Sequence, residues 1–423
     1  MNSVTSLGPA AYENARHGPL ILTIFVITYI GIAIGHVPTL KINRVGIALL
    51  GAISLMIFTD VTTKDAVSFI NWPTIFLLFG FFVLSAQLRL AGFFSKVANA
   101  VAVRLVHPAR FLLELMLVTA GLSAVLNNDV VCLVFAPIVA AALIRQKLNP
   151  VPFLIALAIS SNIGASATLV GNAQDMMIAQ VARLDFGRYL LWSISPVVFA
   201  LSCAYAIIWM LSRKMMQSAT LPLPDVTHAH QPFDRGHTIK GLIVLVIVIA
   251  LFFSSLPKEM IALTAAGFHI ASRKYGTEKL LGLVDWSILV LFMGLFAISG
   301  AFQSTGYGER AVHWLATIGV NLQSLPVLAL VTAALSNLLS NSAAVMLLLN
   351  VVDLSHPATA YVLALANSFG GNLLIIGSVS NIIVVQQARA SGVNISFYDF
   401  ARLGIPVTLA SIGGLIFWIM LSF

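Results

Sequence analysis

The chain has 423 residues, of which 59% are apolar and only 9% are charged, and its mean hydropathy is +0.97. Soluble domains carry about 45–50% apolar and about 25% charged residues. This chain therefore has too few charged side chains to cover a water-facing surface of its size, and the composition predicts a protein embedded in lipid. Soluble enzymes, nucleic-acid binders and disordered scaffolds are excluded, and we expect no nucleic acid among its partners.

Apolar runs near the length that crosses a bilayer, about 20 helical residues, come in two matching sets. The first set covers residues 19–34, 45–59, 72–90, 111–148, 152–182 and 189–211. The second set covers residues 239–256, 260–271, 286–305, 326–352, 358–388 and 397–423. The sequence thus predicts a first transmembrane repeat over residues 1–211, a polar cytoplasmic linker over 212–237 and a second repeat over 238–423.

The two sets also match residue by residue in three blocks. NWPTIFLLFGFFVLS matches DWSILVLFMGLFAIS, with Gly92 over Gly306 just beyond, and VTAGLSAVLNND matches VTAALSNLLSNS. In the third block, SNIGASATLVGNAQDMMIAQ matches SFGGNLLIIGSVSNIIVVQ, which places Asp175 over Asn381. Composition alone would not produce this match, so the chain contains two diverged copies of one unit.

Each copy holds five spanning runs and one long stretch with a polar break, which is either a re-entrant hairpin or two short spans. Either alternative gives an odd number of crossings, so the second copy lies upside down relative to the first, as in many secondary transporters. The expected fold class is an all-α polytopic membrane protein with two inverted repeats of five transmembrane helices. Each repeat is expected to contain a re-entrant helical hairpin and a broken helix.

The lysines and arginines test this topology independently. Of the 23 in the chain, six fall on one side of the threaded spans, namely Arg16, Lys64, Arg183, Arg188, Lys258 and Arg310. The others fall on the opposite side. Because short cytoplasmic loops carry an excess of Lys and Arg, both termini are predicted to face the periplasm of a multi-pass inner-membrane protein.

Four irregular segments interrupt the apolar runs. They are the polar breaks Asn127-Asn128-Asp129 and Ser340-Asn341-Ser342, and the small-residue loops SNIGASATLVGN and NSFGGNLLIIGS. In hydrocarbon, such backbone is tolerated only where it is buried in protein or lines a wet cavity. The helix starts offer N–H groups to an anion or polar solute, and the helix ends offer carbonyls to a cation. Because the copies pair, we expect all four segments to converge near the membrane midplane.

Small residues in membrane helices also allow close helix packing, and for a single Gly or Ser the two explanations are equally good. The packing explanation is weaker for Asn128 and Asn341, because the alignment places them at equivalent positions. The candidate solute-binding residues are amides and hydroxyls from the four segments: Asn127, Asn128, Ser161, Asn162, Thr168, Asn172, Ser340, Asn341, Ser342, Asn367, Ser368, Ser378 and Asn381.

Three acidic residues, Glu114, Asp129 and Asp175, lie inside apolar stretches, where an ionisable residue is a functional candidate by default. Burial disfavours the charged form of a carboxyl, so Asp129 or Asp175 can exchange a proton in each cycle or hold Na⁺. We expect Asp129 to exchange the proton and Asp175 to coordinate an ion beside unwound backbone. Glu114 follows Arg110 by one helical turn, which favours a structural ion pair.

No Lys or Arg falls within the four segments, so a charged carboxylate or phosphate would rely on helix dipoles, amides and a co-transported cation. The two cysteines, Cys132 and Cys203, cannot form a three-sulfur arsenic site, and any arsenic substrate would bind as a neutral hydroxide. The sequence lacks a paired-histidine zinc motif, a nucleophile elbow and a phosphate-binding loop. We therefore expect no enzyme activity, no cofactor and no bound metal.

Four motifs resemble the ion transporter superfamily, which includes arsenite efflux permeases, sodium/proton antiporters and sodium-coupled dicarboxylate carriers. They are LNNDVVCLVFAP, SNIGASATLVGN, LLSNSAAVMLLL and GNLLIIGSVSN. The resemblance covers nearly the whole chain. The Asn128-Asp129 pair, followed by an apolar run to Ala136-Pro137, is similar to the arsenite/antimonite efflux permease branch, whereas residues 172–175 resemble other branches.

The arsenite-branch resemblance implies efflux of arsenite or antimonite in exchange for protons, with Na⁺ as the other coupling ion that the residues allow. It also implies a homodimer in the lipid bilayer. A partner ATPase stays open, since no nucleotide site lies on this chain. The rival interpretations are a sodium- or proton-coupled transporter of a small carboxylate or inorganic anion, a channel with a continuous wet pore, and a membrane-embedded enzyme.

Overall fold

The computed structural model describes residues 17–37, 40–104, 107–217, 233–271 and 274–423. Within these ranges the chain forms twenty α-helices and one antiparallel hairpin of two strands, β1 (His36–Val37) and β2 (Leu40–Asn43). Residues 1–16 of the predicted first repeat and residues 218–232 of the predicted linker lie outside the described residues.

Ten of the helices precede the linker. They are α1 (Gly18–Ile34), α2 (Arg44–Phe58), α3 (Thr63–Phe69), α4 (Trp72–Leu90), α5 (Phe93–Ala102), α6 (Pro108–Val125), α7 (Asn128–Arg145), α8 (Val151–Ala165), α9 (Ala173–Val181) and α10 (Phe186–Ser212). A 3-10 turn at Met215–Gln217 follows α10.

The ten helices after the linker occur in the same order. They are α11 (Arg235–Phe252), α12 (Lys258–Ile270), α13 (Thr277–Leu281), α14 (Trp286–Gln303), α15 (Tyr307–Thr317), α16 (Leu325–Leu339), α17 (Asn341–Leu349), α18 (Pro357–Gly370), α19 (Val379–Ala390) and α20 (Phe397–Ser422). A 3-10 turn at Ile375–Gly377 lies between α18 and α19.

Among the described residues, seven helices are long and apolar enough to cross a membrane: α4, α6, α7, α10, α11, α14 and α20. Four more apolar helices are shorter: α1, α2, α8 and α16. The all-α membrane fold predicted from the sequence is confirmed, and α4 covers the predicted residues 72–90. The helices are also interrupted at the predicted polar breaks, because α6 ends at Val125 before α7 begins, and α16 ends at Leu339.

The same turn recurs at equivalent places in the two halves. Gly92, between α4 and α5, has a φ of 73°, and Gly306, between α14 and α15, has a φ of 70°. Glycine adopts this left-handed conformation without the steric cost that a Cβ brings, which explains why both copies carry glycine there. The inverted orientation of the copies stays a prediction.

The copies interlock rather than lie side by side. A Cβ on Gly80 of α4 would lie 2.6 Å from the backbone of Ala262 in α12, so these helices touch closely. The counterpart contact joins α14 and α2, where a Cβ on Gly294 would lie 3.1 Å from the backbone of Ala48. We call α1–α5 and α11–α15 the scaffold, and α6–α10 and α16–α20 the hairpin body.

Close packing inside the hairpin body depends on Gly164. A Cβ there would lie 2.3 Å from the backbone of Ala120, and its counterpart Gly370 approaches Ala333 in the same way, at 2.5 Å. Each broken helix therefore packs against the first helix of its own hairpin, α8 on α6 and α18 on α16.

Gly164→Ala is expected to lower the free energy of unfolding by about 2 kcal/mol, because overfilling a tight core typically costs 1–3 kcal/mol. Gly121→Ala is the matched control in the adjacent helix α6, since nothing lies within 4 Å of a Cβ at Gly121. The measurement is the thermal midpoint of both variants in detergent. Equal midpoints would contradict the packing argument.

The linker boundaries differ from the prediction, although the division into two repeats stays a prediction. Helix α10 includes Ser212, and α11 begins at Arg235 rather than at residue 238. The β1–β2 hairpin and the short helices α3, α5, α13 and α15 were not predicted, because none of them is an apolar run of spanning length.

Helix α11 begins early because Asp234 anchors its N terminus. The Asp234 carboxylate accepts a hydrogen bond from the His237 backbone N–H at 3.1 Å and contacts His237 Nδ1 at 3.0 Å. The backbone N–H of Asp234 donates to the carbonyl oxygen of Ala91 at 2.9 Å. The hydrogen bond from Lys274 holds the pKa of the Asp234 carboxyl below its usual value. The end of the linker is thereby fixed to the end of α4.

Candidate functional site

Asn162, near the end of α8, is the centre of a buried polar network. Its Oδ1 accepts hydrogen bonds from Asn128 at 3.2 Å and Ser378 at 3.0 Å, and its Nδ2 donates to Asn372 at 2.9 Å and Asn381 at 3.0 Å. An asparagine amide has two acceptor positions and two N–H donors, so the hydrogen-bonding capacity of Asn162 is fully used. The network joins the first hairpin tip, the first broken helix and the second broken helix.

Each hairpin tip is hydrogen-bonded to the broken helix of the opposite copy. At the first tip, Asn128 Nδ2 donates to Ser380 Oγ at 2.9 Å, and Ser380 Oγ donates to Asp129 Oδ1 at 2.5 Å. At the second tip, Gln174 Nε2 donates to Ser342 Oγ at 2.7 Å. Because Gln174 and Ser380 occupy equivalent positions in the alignment, the two contacts are pseudo-symmetric.

A second pseudo-symmetric pair links the two broken helices to each other. Ser378 donates to Asn162 as described above, and Asn172 Nδ2 donates to Ser368 Oγ at 3.3 Å. In the alignment Ser368 corresponds to Asn162, and Ser378 corresponds to Asn172. The predicted convergence of the irregular segments is therefore present as direct side-chain contacts between the copies.

Four helices, α7, α9, α17 and α19, begin at these segments, and their first N–H groups differ in how they are satisfied. In the first copy, Asn127 Oδ1 accepts from the N–H groups of Asp129 and Val130 at 2.9 and 3.2 Å, and Asn172 Oδ1 accepts from Asp175 N–H at 2.7 Å. In the second copy, α17 and α19 have no side-chain cap within the described residues. Their uncapped N–H groups are available to an anion or a hydroxyl oxygen.

Most of the unpaired buried polar atoms at the site, among the described residues, belong to the second copy. Within the described ranges, no hydrogen-bond partner reaches the following buried atoms: Asp175 Oδ1, Asn337 Oδ1, Asn341 Oδ1, Asn372 Nδ2 and both amide atoms of Asn367. A buried polar atom without a partner costs about 1–3 kcal/mol. A bound solute or water that supplies these hydrogen bonds is therefore favoured at this place.

The second tip is also strained. Ser340 has φ 93° and ψ 152°, whereas its first-copy counterpart Asn127 has φ −56° and ψ 119°. A non-glycine residue at such a positive φ is strained by roughly 1–3 kcal/mol, and such residues cluster at functional sites. The two tips are thus chemically related but conformationally different.

Two predicted residues bind the first hairpin to the first broken helix. Thr168 donates to the carbonyl oxygen of Ala124, and Ser161 Oγ lies 2.8 Å from Ser123 Oγ and 3.3 Å from the Asn128 carbonyl oxygen. Thr168 and Ser161 therefore stabilise the first-copy side of the site. Their predicted contact with solute stays a prediction.

The acidic residues have distinct surroundings. Asp129 is partly buried and accepts the hydrogen bond from Ser380, whereas Asp175 is fully buried and its Oδ2 accepts from Asn172 Nδ2 at 2.7 Å. The predicted pair of Glu114 with Arg110 is confirmed, with 2.9 Å between Arg110 Nε and Glu114 Oε1. The coupling roles of Asp129 and Asp175 stay predictions.

Four residues of the site were not predicted from the sequence: Gln174, Asn337, Asn372 and Ser380. Asn337 Nδ2 donates to the carbonyl oxygen of Gly370 at 2.7 Å, which ties the second hairpin to the second broken helix. The alignment contained the signal for Gln174 and Ser380, since both directly precede the aligned pair of Asp175 and Asn381. Asn372 follows a Gly-Gly step inside the second loop, where unwound backbone brings side chains into the centre.

Interrupted membrane helices that meet in a polar centre are typical of secondary transporters. The chain belongs to the citrate transporter family, whose model matches residues 24–361. This confirms the predicted ion transporter superfamily, and the arsenite branch stays a prediction.

The chain is similar to three other transporters, two of them by sequence and one by structure. A transporter of Mycobacterium tuberculosis, Rv2684, is 32% identical over 414 residues, covering 92% of this chain and 95% of the relative. The silicon efflux transporter LSI3 of Oryza sativa is 28% identical, covering 88% and 91%. The YdaH transporter structure from Alcanivorax borkumensis matches with a TM-score of 0.63 at 12% identity, covering 96% and 98%, which shows a shared fold.

Proposed function

We propose that this protein is an inner-membrane secondary transporter that exports arsenite or antimonite in exchange for protons by alternating access. The hairpin body moves against the scaffold and carries the polar network from one side of the membrane to the other. The working unit is a homodimer with both termini outside.

The observation that carries the proposal is that the site lacks a fixed positive charge. The network consists of amides, hydroxyls and backbone groups bonded to the carboxyls of Asp129 and Asp175, and the four interrupted segments hold no Lys or Arg. Arsenite and antimonite are neutral hydroxides near pH 7, so they need hydrogen-bond donors and acceptors rather than a fixed positive charge. The rice relative is named a silicon efflux transporter, and silicic acid is also a neutral polyhydroxy solute.

Solute binds on the second-copy side in this proposal. Asn341, Asn367 and Asn372 supply unpaired amide atoms, and the uncapped start of α17 supplies N–H groups. Solute hydroxyls that satisfy these groups remove the cost of leaving them unpaired. The proton is exchanged at Asp129, which is connected to the network by the hydrogen bond that Ser380 donates to it.

A second candidate is coupled transport of a small carboxylate or inorganic anion. It is favoured by the uncapped starts of α17 and α19, which attract negative charge. The family to which the chain belongs is described as a citrate transporter family. Na⁺ is the alternative coupling ion, and its oxygen ligands would come from Asn337 and Asn341, whose Oδ1 atoms are unpaired within the described part of the chain.

Transport in proteoliposomes separates the candidates. Vesicles with a pH gradient, a Na⁺ gradient or no gradient are tested with arsenite, antimonite, silicic acid, and citrate with and without Mg²⁺. We expect an imposed proton gradient to drive uphill transport of arsenite and antimonite without a requirement for Na⁺. Accumulation of citrate without arsenite movement would support the second candidate, and flux insensitive to both gradients would contradict secondary active transport.

Asn341→Ala is expected to raise the arsenite concentration for half-maximal transport about tenfold, equivalent to about 1.4 kcal/mol of lost binding. Asn350→Ala is the matched control, because Asn350 lies at the other end of α17 and its side chain donates only to the carbonyl oxygen of Met346, at 2.6 Å, among the described residues. Initial rates over a range of arsenite concentrations give the half-maximal arsenite concentration of each variant. Equal half-maximal concentrations would remove Asn341 from the solute site.

A further inference from the structure

A cavity of about 350 Å³ lies between the scaffold and the hairpin body, lined by residues other than those of the polar network. It is at the small end of the range of small-molecule sites, roughly 300–1,000 Å³. Its walls come from α4, from the α11–α12 connection, from the first unwound loop and from the segment joining α9 to α10. The predicted topology places it on the periplasmic side.

The cavity has an apolar interior and a charged rim. Leu77, Phe186 and Phe252 are buried and form part of its wall. The rim carries Arg183 and Lys258 against a single acid, Glu259, so the formal charge of the lining is positive. This combination suits a ligand with an apolar body and a negative head.

The other charged groups of the rim are already engaged. Glu259 Oε2 accepts a hydrogen bond from Gln180 Nε2 at 3.3 Å, which joins the scaffold to the hairpin body. Lys258 Nζ donates to the carbonyl oxygen of Ser254 at 2.7 Å. Arg183 is exposed, and no hydrogen bond or ion pair to its guanidinium group is present among the described residues. Arg183 is therefore the rim cation available to an anionic ligand.

The backbone of Arg183 is unusual for its residue type. Arg183 has φ 50° at the end of α9, where the next N–H, that of Leu184, donates back to the carbonyl oxygen of Ala179 at 2.9 Å. The corresponding helix α19 ends with Gly392 at φ 77°, and glycine is the usual residue at this helix-end position. A side chain in this conformation costs roughly 1–2 kcal/mol. Strain retained at a cavity rim points to a function for the arginine.

We propose that this cavity binds a small organic anion with an apolar body, such as a medium-chain carboxylate, with its head at Arg183. Occupancy holds the scaffold and the hairpin body in the arrangement seen here, because the walls belong to both. The binding step is independent of the proposed function, whereas the locking step rests on the proposed movement of the hairpin body.

Binding is tested on the full chain in lipid nanodiscs, with hexanoate as the probe and hexan-1-ol and acetate as controls. Calorimetric titration should show saturable binding of hexanoate and about tenfold weaker binding of either control, a difference of about 1.4 kcal/mol. Arg183→Gly, which installs the residue type found at the end of α19, should weaken hexanoate binding by a similar factor, and Arg183→Gln is the second variant. Arg188→Gln is the matched control, since Arg188 is exposed nearby but does not line the cavity.

Equal hexanoate affinity in wild type and both Arg183 variants would overturn the anion site. Displacement of hexanoate by arsenite or citrate would show that the cavity is part of the solute route and would also overturn it. For the locking step, external hexanoate should lower the maximal transport rate without raising the half-maximal solute concentration, in wild type but not in Arg183→Gly. An undiminished rate at saturating hexanoate would overturn locking, and absence of arsenite transport would leave the binding result intact.

Discussion

Replacing Asn162 with alanine is expected to reduce transport at least a hundredfold, the largest effect of any single substitution proposed for this protein. The change removes four hydrogen bonds, to Asn128, Ser378, Asn372 and Asn381. These bonds hold the first hairpin and the second broken helix against the first broken helix. A displacement of about 1 Å at such a centre is enough for roughly a hundredfold loss of function.

The same change is expected to destabilise the fold by about 3 kcal/mol, because a hydrogen bond within a membrane protein contributes about 0.6–1.7 kcal/mol and four are lost. Asn162→Asp separates function from folding. Aspartate keeps the shape and accepts from Ser378, but it cannot donate from the position of Nδ2. This variant should fold, with an elution profile like the wild type in size-exclusion chromatography, and should still lose transport.

Ser160→Ala is the matched control on the same helix. Ser160 Oγ lies 2.6 Å from Thr119 Oγ1, so its hydrogen bond stays within the first copy. Ser160→Ala should retain most of the transport rate, because no contact between the copies is removed. Wild-type rates in a folded Asn162→Asp protein would show that the network is only a packing device.

The sequence predicted the fold to the extent that the fold depends on local properties. Apolar length set α4, and short polar steps set the interruptions before Asn128 and Asn341. At the first interruption Asn127 caps the new helix, whereas α17 begins without a side-chain cap among the described residues. The interlocking of the copies was not predicted. The contact of Gly80 with Ala262 joins helices far apart in the chain, and nothing in either local sequence specifies which helix packs against the other.

The candidate site was likewise predicted only to the extent that it depends on local sequence. Repeat alignment identified Asn128 and Asn341 as equivalent, but it could not reveal that Asn128 is hydrogen-bonded while Asn341 Oδ1 has no partner in the described part of the chain. That difference arises from which groups of the opposite copy lie nearby. Ser380 and Asn372 were missed because a lone serine or asparagine is common, and only the three-dimensional arrangement brings them to Asn162.

Replacing Asp129 with asparagine is expected to uncouple transport from the proton gradient. Asparagine has nearly the same shape, and its Oδ1 can still accept the hydrogen bond that Ser380 donates to Asp129 Oδ1. The network therefore persists while the titratable group is lost. Gradient-driven accumulation should fall about a hundredfold, within the range of coupling free energies of 1–3 kcal/mol. Arsenite exchange between equal concentrations should change only slightly, since it needs no net proton movement.

Glu114→Gln is the control for this experiment, because Glu114 is the other carboxyl of the first hairpin and pairs with Arg110. It should keep the pH dependence of the wild type.

Unchanged proton dependence in Asp129→Asn would remove Asp129 from coupling, and a loss found instead in Asp175→Asn would assign coupling to Asp175. The unpaired Oδ1 of Asp175 within the described residues makes this the informative comparison. Asp175 is fully buried and accepts a hydrogen bond from Asn172 of the network, whereas Asp129 is partly buried.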